Sequence, residues 1–288
     1  MTHSFQIHLL QQPFLVGDIR ANARKIITLA DEARASGADL VVFPELALCG
    51  YPPEDLLLRP GFIRLCDEAV ADIPRSVHGV TLIFGAPRHD GQKLFNSAFC
   101  MRDGKLLSVY DKYTLPNYAV FDEKRYFSEG DQPCVVDING IRLGITLCED
   151  IWFEAPAAQA RQAGAQALLV LNASPYHGGK YDERLQVLRQ RHAETGLPLF
   201  YLNLVGGQDE LVFDGQSLVL DGQGELAGRG AEFEAVSLNY RLHADGRVEA
   251  LQPAAAMPML GEDASIYRAL VTGVRDYVSN NGFNGVVI

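Results

Sequence analysis

Along the first 86 positions, the spacing of apolar residues alternates between short runs and a helical period. Residues 5–10 and 39–43 are apolar runs that predict strands. Between them, apolar positions recur at helical spacing from Asp18, an N-cap residue, until Gly37 ends the segment. A helix over 60–73 and a strand over 80–86 follow. The order of these elements is β-α-β, which predicts an α/β domain with parallel strands.

The middle of the chain adds antiparallel strands to this alternation. The pattern predicts a hairpin of 94–101 and 105–110 around Asp103-Gly104, and a strand over 141–147 after Asn139-Gly140. The other predicted elements are helices over 155–165, 180–195 and 262–279, and strands over 166–171, 198–204, 216–220, 224–227 and 233–240. Helices interleaved with mixed sheets predict a layered α/β fold in which two sheets pack face to face.

The last part of the chain differs from the rest in composition and in the spacing of its apolar residues. Residues 243–258 carry several Ala and Pro and predict an extended arm or linker, and 285–288 predict the start of an apolar strand. We therefore expect a domain over 1–245. Residues 246–288 are then a linker arm, a helix and the first strand of a further domain.

Charge and cysteine content narrow the classes of function. A formal net charge of −11 and a pI near 5.1 argue against binding to nucleic acid or to an acidic membrane. Five cysteines without a CxxC pair predict a reduced, cytoplasmic protein without structural zinc, and we expect no metal site. The first residues lack the pattern of a signal peptide, and no apolar run approaches the ~20 residues of a membrane span.

Three residues with reactive side chains follow predicted strands, where α/β folds place their sites. Glu45 follows 39–43 through Pro44, Lys112 follows 105–110, and Cys148 follows 141–147. Taken singly, each residue is better explained by a structural role than by a catalytic one: Glu45 as a solvated glutamate, Lys112 as a surface lysine and Cys148 as a packed core thiol. Together they match the needs of nucleophilic catalysis. Cys148 attacks, Glu45 accepts the thiol proton, and Lys112 offsets nearby carboxylates and stabilises an oxyanion.

Three motifs in this order resemble those of the nitrilase superfamily. They are Phe-Pro-Glu45-Leu, Tyr-Asp-Lys112 and Leu-Cys148-Glu-Asp-Ile-Trp, within a resemblance that covers about residues 5–240. The resemblance implies a carbon–nitrogen hydrolase with a four-layer α-β-β-α sandwich. It also implies that these three residues form the catalytic triad.

Further motifs resemble the family of glutamine-dependent NAD synthetases: Tyr51-Pro-Pro-Glu-Asp, Lys112-Tyr-Thr-Leu-Pro-Asn-Tyr118, Asn172-Ala-Ser174-Pro-Tyr-His-Gly-Gly-Lys180 and Asn281-Gly-Phe-Asn-Gly. The resemblance implies that Tyr118, Ser174 and Lys180 hold glutamine, and that Tyr51, Glu149 and Trp152 line its pocket. Lys180 begins a predicted helix, and a helix N-terminus with an ammonium suits a substrate carboxylate.

The same resemblance implies a C-terminal synthetase domain that uses the released ammonia to convert deamido-NAD to NAD. ATP and Mg²⁺ are expected only there, and no cofactor is expected in this chain. Gly178-Gly179-Lys180 lacks the spacing of a P-loop. We also expect a homo-oligomer, the usual state of such enzymes.

Three alternatives stay open at this point. The substrate of the same triad could be a simple amide, a carbamoyl compound or a nitrile. His192-Ala-Glu194 has the spacing of a Cys-His-Glu glutaminase, although it falls inside a predicted helix. The domain could also act mainly as an oligomerisation scaffold.

Overall fold

The computed structural model describes residues 3–252 and 259–287. Its strands are β1 (Ser4–Gln11), β2 (Leu40–Val42), β3 (Thr81–His89), β4 (Leu94–Arg102), β5 (Lys105–Asp111), β6 (Cys134–Ile138), β7 (Ile141–Leu147), β8 (Ala167–Asn172), β9 (Leu199–Asn203), β10 (Val205–Gln208), β11 (Leu211–Asp214), β12 (Leu218–Leu220), β13 (Leu226–Arg229), β14 (Val236–His243) and β15 (Val248–Ala250). Its α-helices are α1 (Ile19–Ala35), α2 (Pro60–Ser76), α3 (Glu154–Gln162), α4 (Lys180–Thr195) and α5 (Glu262–Asn280).

Two mixed sheets form the centre of the fold. The seven-stranded sheet has the order β15-β14-β1-β2-β3-β4-β5, and the six-stranded sheet has the order β13-β12-β9-β8-β7-β6. The parallel strands β1, β2 and β3 lie in the first sheet, and β7, β8 and β9 lie in the second. The remaining pairings are antiparallel, and they include the predicted hairpin, β4 with β5.

Three apolar layers hold the sheets and helices together. Side chains of both sheets, such as Ile7, Leu9, Leu143 and Leu169, meet in the central layer. A second cluster packs α1 and α2 on the outer face of the first sheet, and a third packs α3 and α4 on the second sheet. Because a sheet with apolar residues on both faces must be covered on both sides, the result is the four-layer α-β-β-α sandwich. This confirms the fold class predicted from the sequence.

Helix α1 shows how local sequence fixes an element. The Asp18 side chain accepts a hydrogen bond from the Ala21 amide at 3.0 Å, which satisfies a donor that the first helical turn leaves open. Ile19, Ile26 and Ala30 are buried on one face of the helix. Both the N-cap and this face follow from the sequence pattern.

The end of the chain differs from the sequence prediction. Residues 248–250 form β15, which pairs with β14, so they belong to the first sheet and not to a linker arm. Residues 285–287 do not form the predicted strand, and 253–258 and 288 lie outside the described residues. The predicted helix over 262–279 is present as α5. It packs on a two-stranded sheet of β10 and β11, which the sequence pattern did not reveal.

No helix in the described ranges is both long and apolar enough to cross a membrane.

Candidate active site

Glu45 lies in a tight turn directly after β2 and is 1% exposed. The next residue, Leu46, has a φ of 46°, so the chain reverses sharply beyond the carboxylate. Gly85 on β3 makes room for this turn, because a Cβ there would overlap the backbone nitrogen of Leu46 and lie 2.8 Å from the Glu45 Cα. The Glu45 carboxylate is held on two sides, by the Ala173 amide at 2.9 Å and by the Asn96 side-chain amide at 2.8 Å.

Lys112 follows β5 and is fully enclosed between two carboxylates. Its Nζ donates to Glu45 Oε1 at 2.8 Å and to both Glu123 oxygens, at 2.8 and 3.0 Å. Burial alone would lower the pKa of Lys112, but Glu123 and Glu45 outweigh it and raise this pKa well above the usual value. The lysine is therefore an ammonium in a site where water cannot screen its charge.

Cys148 lies where β7 ends and a short 3₁₀ helix, Cys148–Trp152, begins. Its φ of 40° is a backbone conformation that costs energy for a residue with a Cβ, and such strain is found at functional sites. Asp150 fixes this turn: its carboxylate accepts from the amides of Leu147 at 3.0 Å and Thr114 at 2.7 Å, and from the Tyr110 hydroxyl at 2.8 Å.

Cys148 is close enough to Glu45 and Lys112 for both charges to act on its titration. Burial raises the pKa of the thiol, Glu45 raises it further, and Lys112 opposes both. The sum lies well above the ordinary value of a cysteine. Lys112 does not outweigh burial and Glu45, because the neighbouring carboxylates Glu45 and Glu123 share its one ammonium. A neutral thiol needs a base at the moment of attack, and Glu45 is placed to be that base.

Charged and aromatic side chains form a rim beside the Cys148 turn. The Tyr118 hydroxyl donates to both oxygens of Glu149, at 3.0 and 3.1 Å. The Lys180 ammonium lies 4.1 Å from the centroid of the Trp152 ring and 3.3 Å from Glu183 Oε2. As predicted, Lys180 is the first residue of α4. This rim therefore offers an ammonium, a carboxylate and an aromatic face to a ligand.

Ser174 is 4% exposed and is held from beneath by the fully buried Arg184. The Arg184 guanidinium donates to the Ser174 carbonyl at 2.8 Å and to its Oγ at 3.2 Å. Its Nη1 forms an ion pair with Asp214 and donates to both carboxylate oxygens, at 2.8 and 2.9 Å. The loop that carries Ser174 is thus fixed to the end of β11.

The sequence matches the family model of carbon–nitrogen hydrolases over residues 6–239, a span that contains Glu45, Lys112 and Cys148. The chain belongs to the carbon–nitrogen hydrolase family. It is 44% identical over 291 residues to a glutamine-dependent NAD(+) synthetase of Xylella fastidiosa, covering 99% of this chain and 53% of that protein. This hydrolase therefore spans about half the length of the curated relatives it matches.

Solved structures agree with this assignment. A glutamine-dependent NAD+ synthetase of Acinetobacter baumannii, in complex with adenosine diphosphate, matches with a TM-score of 0.93 at 39% identity, over 98% of this chain and 53% of that one. A mutant of an amidase from Nesterenkonia, an enzyme of the nitrilase superfamily, matches with a TM-score of 0.77 at 27% identity, over 84% of this chain and 91% of that one. In that mutant the acetamide moiety of fluoroacetamide is added covalently at the active-site cysteine.

Sequence reasoning missed Glu123, the second carboxylate on Lys112. It lies in a short 3₁₀ helix, Glu123–Arg125, within the segment 111–130 that has no regular period. A segment of that length without a regular period is usually functional in a compact domain. This was the feature of the sequence that could have pointed to Glu123. Asn96 and Arg184 were missed as well, because a strand asparagine and a helix arginine carry no local signature.

Tyr51 lies deeper than the sequence prediction implied. It is 4% exposed, and its hydroxyl donates to Glu123 Oε1 at 3.0 Å. In this hydrolase Tyr51 therefore contacts the cluster behind Lys112, whereas Glu149 and Trp152 border the rim.

The alternative pair His192 and Glu194 lies near the far end of α4. His192 Nδ1 is 2.9 Å from the Leu197 carbonyl oxygen, and Glu194 accepts from Arg191 at 2.9 Å. Lys180, at the start of the same helix, is twelve residues away, which is about 18 Å of helix. Both side chains are thus engaged away from the rim. In the described ranges, no cluster of His, Cys, Asp and Glu could hold a metal ion.

Burial raises the pKa of Glu123 to about 7, although Lys112 opposes the shift. A folded-state pKa above the unfolded value means that stability is lost as pH rises through the folded pKa. We expect the Glu123→Gln variant to gain stability relative to the unsubstituted chain as pH rises from about 5 to about 8. Glutamine keeps an acceptor for Lys112 and Tyr51.

Thermal unfolding of both chains across this pH range measures the difference. A melting-temperature difference that does not change with pH would contradict the prediction, because only the ionisable side chain is removed.

Proposed function

We propose that this hydrolase cleaves the side-chain amide of glutamine to glutamate and ammonia through a thioester at Cys148. The observation that carries the proposal is the buried cluster of Glu45, Lys112 and Glu123 beside a strained cysteine at a strand end. The same fold and family include an amidase whose active-site cysteine is modified covalently.

The chemistry follows from the positions of these side chains. Glu45 takes the proton of the Cys148 thiol as the sulfur attacks the amide carbon, and Lys112 stabilises the negative oxygen that forms. Collapse breaks the carbon–nitrogen bond, and the proton on Glu45 leaves with the nitrogen as ammonia. Glu45 then takes a proton from water, whose oxygen attacks the thioester. Glutamate leaves, and the proton returns to the sulfur.

Glu123 has a supporting part in this reaction. It holds the Lys112 ammonium through both of its oxygens, so the lysine cannot turn away from Glu45. A fixed ammonium in a buried site stabilises a developing oxyanion without first having to reorient.

The rim favours a free α-amino acid as substrate. Lys180 at the start of α4 suits the α-carboxylate, and the Glu149 carboxylate suits the α-ammonium. Tyr118 and Ser174 would add hydrogen bonds, with Trp152 bordering the aliphatic part of the ligand. A simple amide carries neither charge. Binding it would therefore desolvate Lys180 and Glu149 without forming an ion pair with either side chain.

We also propose that the ammonia serves an ATP-dependent synthesis of NAD from deamido-NAD in a longer polypeptide. Relatives of this chain are about twice as long and are glutamine-dependent NAD(+) synthetases. Helix α5 exposes large apolar side chains, as expected of a helix that packs against a further domain. These side chains are Ile266, Tyr267, Leu270, Val274 and Tyr277. We therefore retain 246–288 as the start of a synthetase domain, except for 248–250, with ATP and Mg²⁺ bound by that domain.

Two further proposals concern the state of the protein. We propose a cytoplasmic location, supported by five cysteines that are all free thiols in the structure. We also propose symmetric self-association, which is the common state of enzymes of this kind.

Treatment with a glutamine-like diazoketone, 6-diazo-5-oxo-L-norleucine, tests the proposed function. We expect one adduct on Cys148, found by mass spectrometry of peptides, and slower labelling when glutamine is present. The other four buried cysteines provide the internal control. Absence of an adduct, or an adduct on another sulfur, would end the proposal.

The second candidate function is a free-standing amidase, favoured by the 91% of the Nesterenkonia amidase that this chain covers. Release of ammonia from glutamine, acetamide and propionamide separates the two functions. Glutamine should be preferred by at least about 10²-fold, since two charged contacts of the substrate are lost in the simple amides. Equal rates would favour the amidase.

A further inference from the structure

We infer that helix α5 positions the glutamine-binding loop 173–179, and that it acts through the β10–β11 hairpin. The inference rests on the proposed glutaminase function, because it assigns Ser174 and its loop to the substrate. It makes Asp276 on α5 a positioning residue, which touches neither the substrate nor Cys148.

The outer end of this connection is the contact between α5 and β10. Asp276 Oδ2 accepts a hydrogen bond from the Gly207 amide at 2.8 Å. The surfaces meet closely here, because a Cβ on Gly207 would lie 3.1 Å from the Gly273 Cα. Two glycines facing each other allow the helix to rest directly on the hairpin backbone.

The middle of the connection is the hairpin itself. Gly207 pairs with Val212 across the antiparallel strands. A Cβ on Gly273 would lie 3.3 Å from Val212 Cγ2, so α5 touches both strands of the hairpin. The position of the helix therefore sets the position of Val212.

The inner end of the connection is the substrate loop. The Tyr176 amide donates to the Val212 carbonyl at 2.7 Å. Two residues further along β11, Asp214 forms the buried ion pair with Arg184, which in turn holds the Ser174 carbonyl and Oγ. One strand thus fixes the loop at two points, on either side of Pro175.

The ion pair gives this connection its rigidity. Arg184 and Asp214 are each 1% exposed, and the planar guanidinium is held by Asp214 through Nη1 and by Ser174 through Nη2. Because no solvent separates Asp214 from Arg184, a shift of β11 would move Arg184 and, through it, Ser174. A domain that moves α5 would therefore change glutamine binding without touching the triad.

The test compares variants of the full 288-residue chain. Asp276→Ala removes the acceptor for Gly207, whereas Asp276→Asn keeps an acceptor oxygen and should restore the contact. Gly207→Ala keeps the Asp276 carboxylate but separates α5 from the hairpin by steric contact, since the added Cβ would lie 3.1 Å from the Gly273 Cα and 3.3 Å from the Asp276 Cβ. Asp263→Ala is the matched control, because Asp263 lies exposed in the first turn of the same helix.

We expect Asp276→Ala and Gly207→Ala to raise the KM for glutamine about tenfold, with kcat changed less than about twofold. Asp276→Asn and Asp263→Ala should resemble the unsubstituted chain. Alkylation of Cys148 by iodoacetamide, which needs no loop contact, should keep its rate in all four variants. Amide hydrogen exchange should show faster exchange at Tyr176 in the first two variants only.

Unchanged KM and unchanged exchange at Tyr176 in both disruptive variants would overturn the inference. The inference would also be overturned if Cys148 in these two variants lost its reactivity with iodoacetamide by the same factor as KM rises, because this would indicate that the whole active site is distorted. If the unsubstituted chain forms no adduct with the diazoketone, the proposed function fails. The exchange at Tyr176 then still shows whether α5 and the loop are connected.

Discussion

The Cys148→Ala variant is expected to lose glutamine hydrolysis by on the order of 10⁵-fold. The loss follows because no thioester forms without the sulfur. Stability should change by only about 1 kcal/mol, since alanine fills most of the small space that the side chain occupies. Ammonia release and urea denaturation measure the two effects.

Two matched variants show whether the loss is specific to Cys148. Cys134→Ala removes another buried thiol, one that contacts the Ser108 hydroxyl at 3.0 Å, and should leave the rate unchanged. His192→Ala should also keep activity. A comparable loss in the histidine variant would favour a Cys-His-Glu mechanism, and residual hydrolysis near the original rate in Cys148→Ala would exclude the thioester.

The Lys112→Met variant is expected to lose both activity and stability. Methionine has a similar length but leaves Glu45 and Glu123 buried without their shared ammonium, and breaking a buried ion pair costs about 3–5 kcal/mol. The oxyanion also loses its counter-charge. Urea denaturation and ammonia release, each compared with the unsubstituted chain, measure the two losses.

The stability loss should depend on pH. Burial raises the pKa of Glu123 and Lys112 lowers it, so without Lys112 the pKa of Glu123 in the folded state lies further above its value in the unfolded state. Stability conferred in this way is present at low pH and is lost as pH rises. The difference from the unsubstituted chain should therefore be smaller at pH 5 than at pH 8.

Lys124→Met is the control for this variant. Lys124 lies in the same segment, and its side chain is 53% exposed in a surface pair with Glu129. Its removal should change stability by less than about 1 kcal/mol. Adding Glu123→Gln to Lys112→Met should recover part of the stability and none of the activity. Equal stability of Lys112→Met and the unsubstituted chain would contradict the buried pair.

The sequence determined those elements whose cause is local. Helix α4 was predicted over the same residues that the structure shows, and it lies between Gly179 and Gly196, which both have positive φ. The alternation of strand and helix predicted a layered α/β fold with two sheets face to face, and the resemblance to the nitrilase superfamily implied the four layers. The motifs around Glu45, Lys112 and Cys148 indicated the family and the residues that we propose as catalytic.

The tertiary structure decided what depends on distant partners. β10 and β11 have four residues each, and β10 contains two glycines, so no periodic pattern could reveal them. Val248–Ala250 became a strand because the edge of β14 was available for pairing. Glu123 and Arg184 acquired their places from burial beside Lys112 and Asp214, which sequence spacing does not encode.

The electrostatic state of the nucleophile shows the same division. From the sequence alone, Lys112 was expected to offset the carboxylates near Cys148. The fold encloses the thiol with Glu45 and Glu123 around this single ammonium, and burial raises the pKa of the sulfur. The sequence determines which ionisable side chains the chain carries and in what order. Their charge interactions, however, depend on distance and on the exclusion of water. Only the folded chain sets these two quantities.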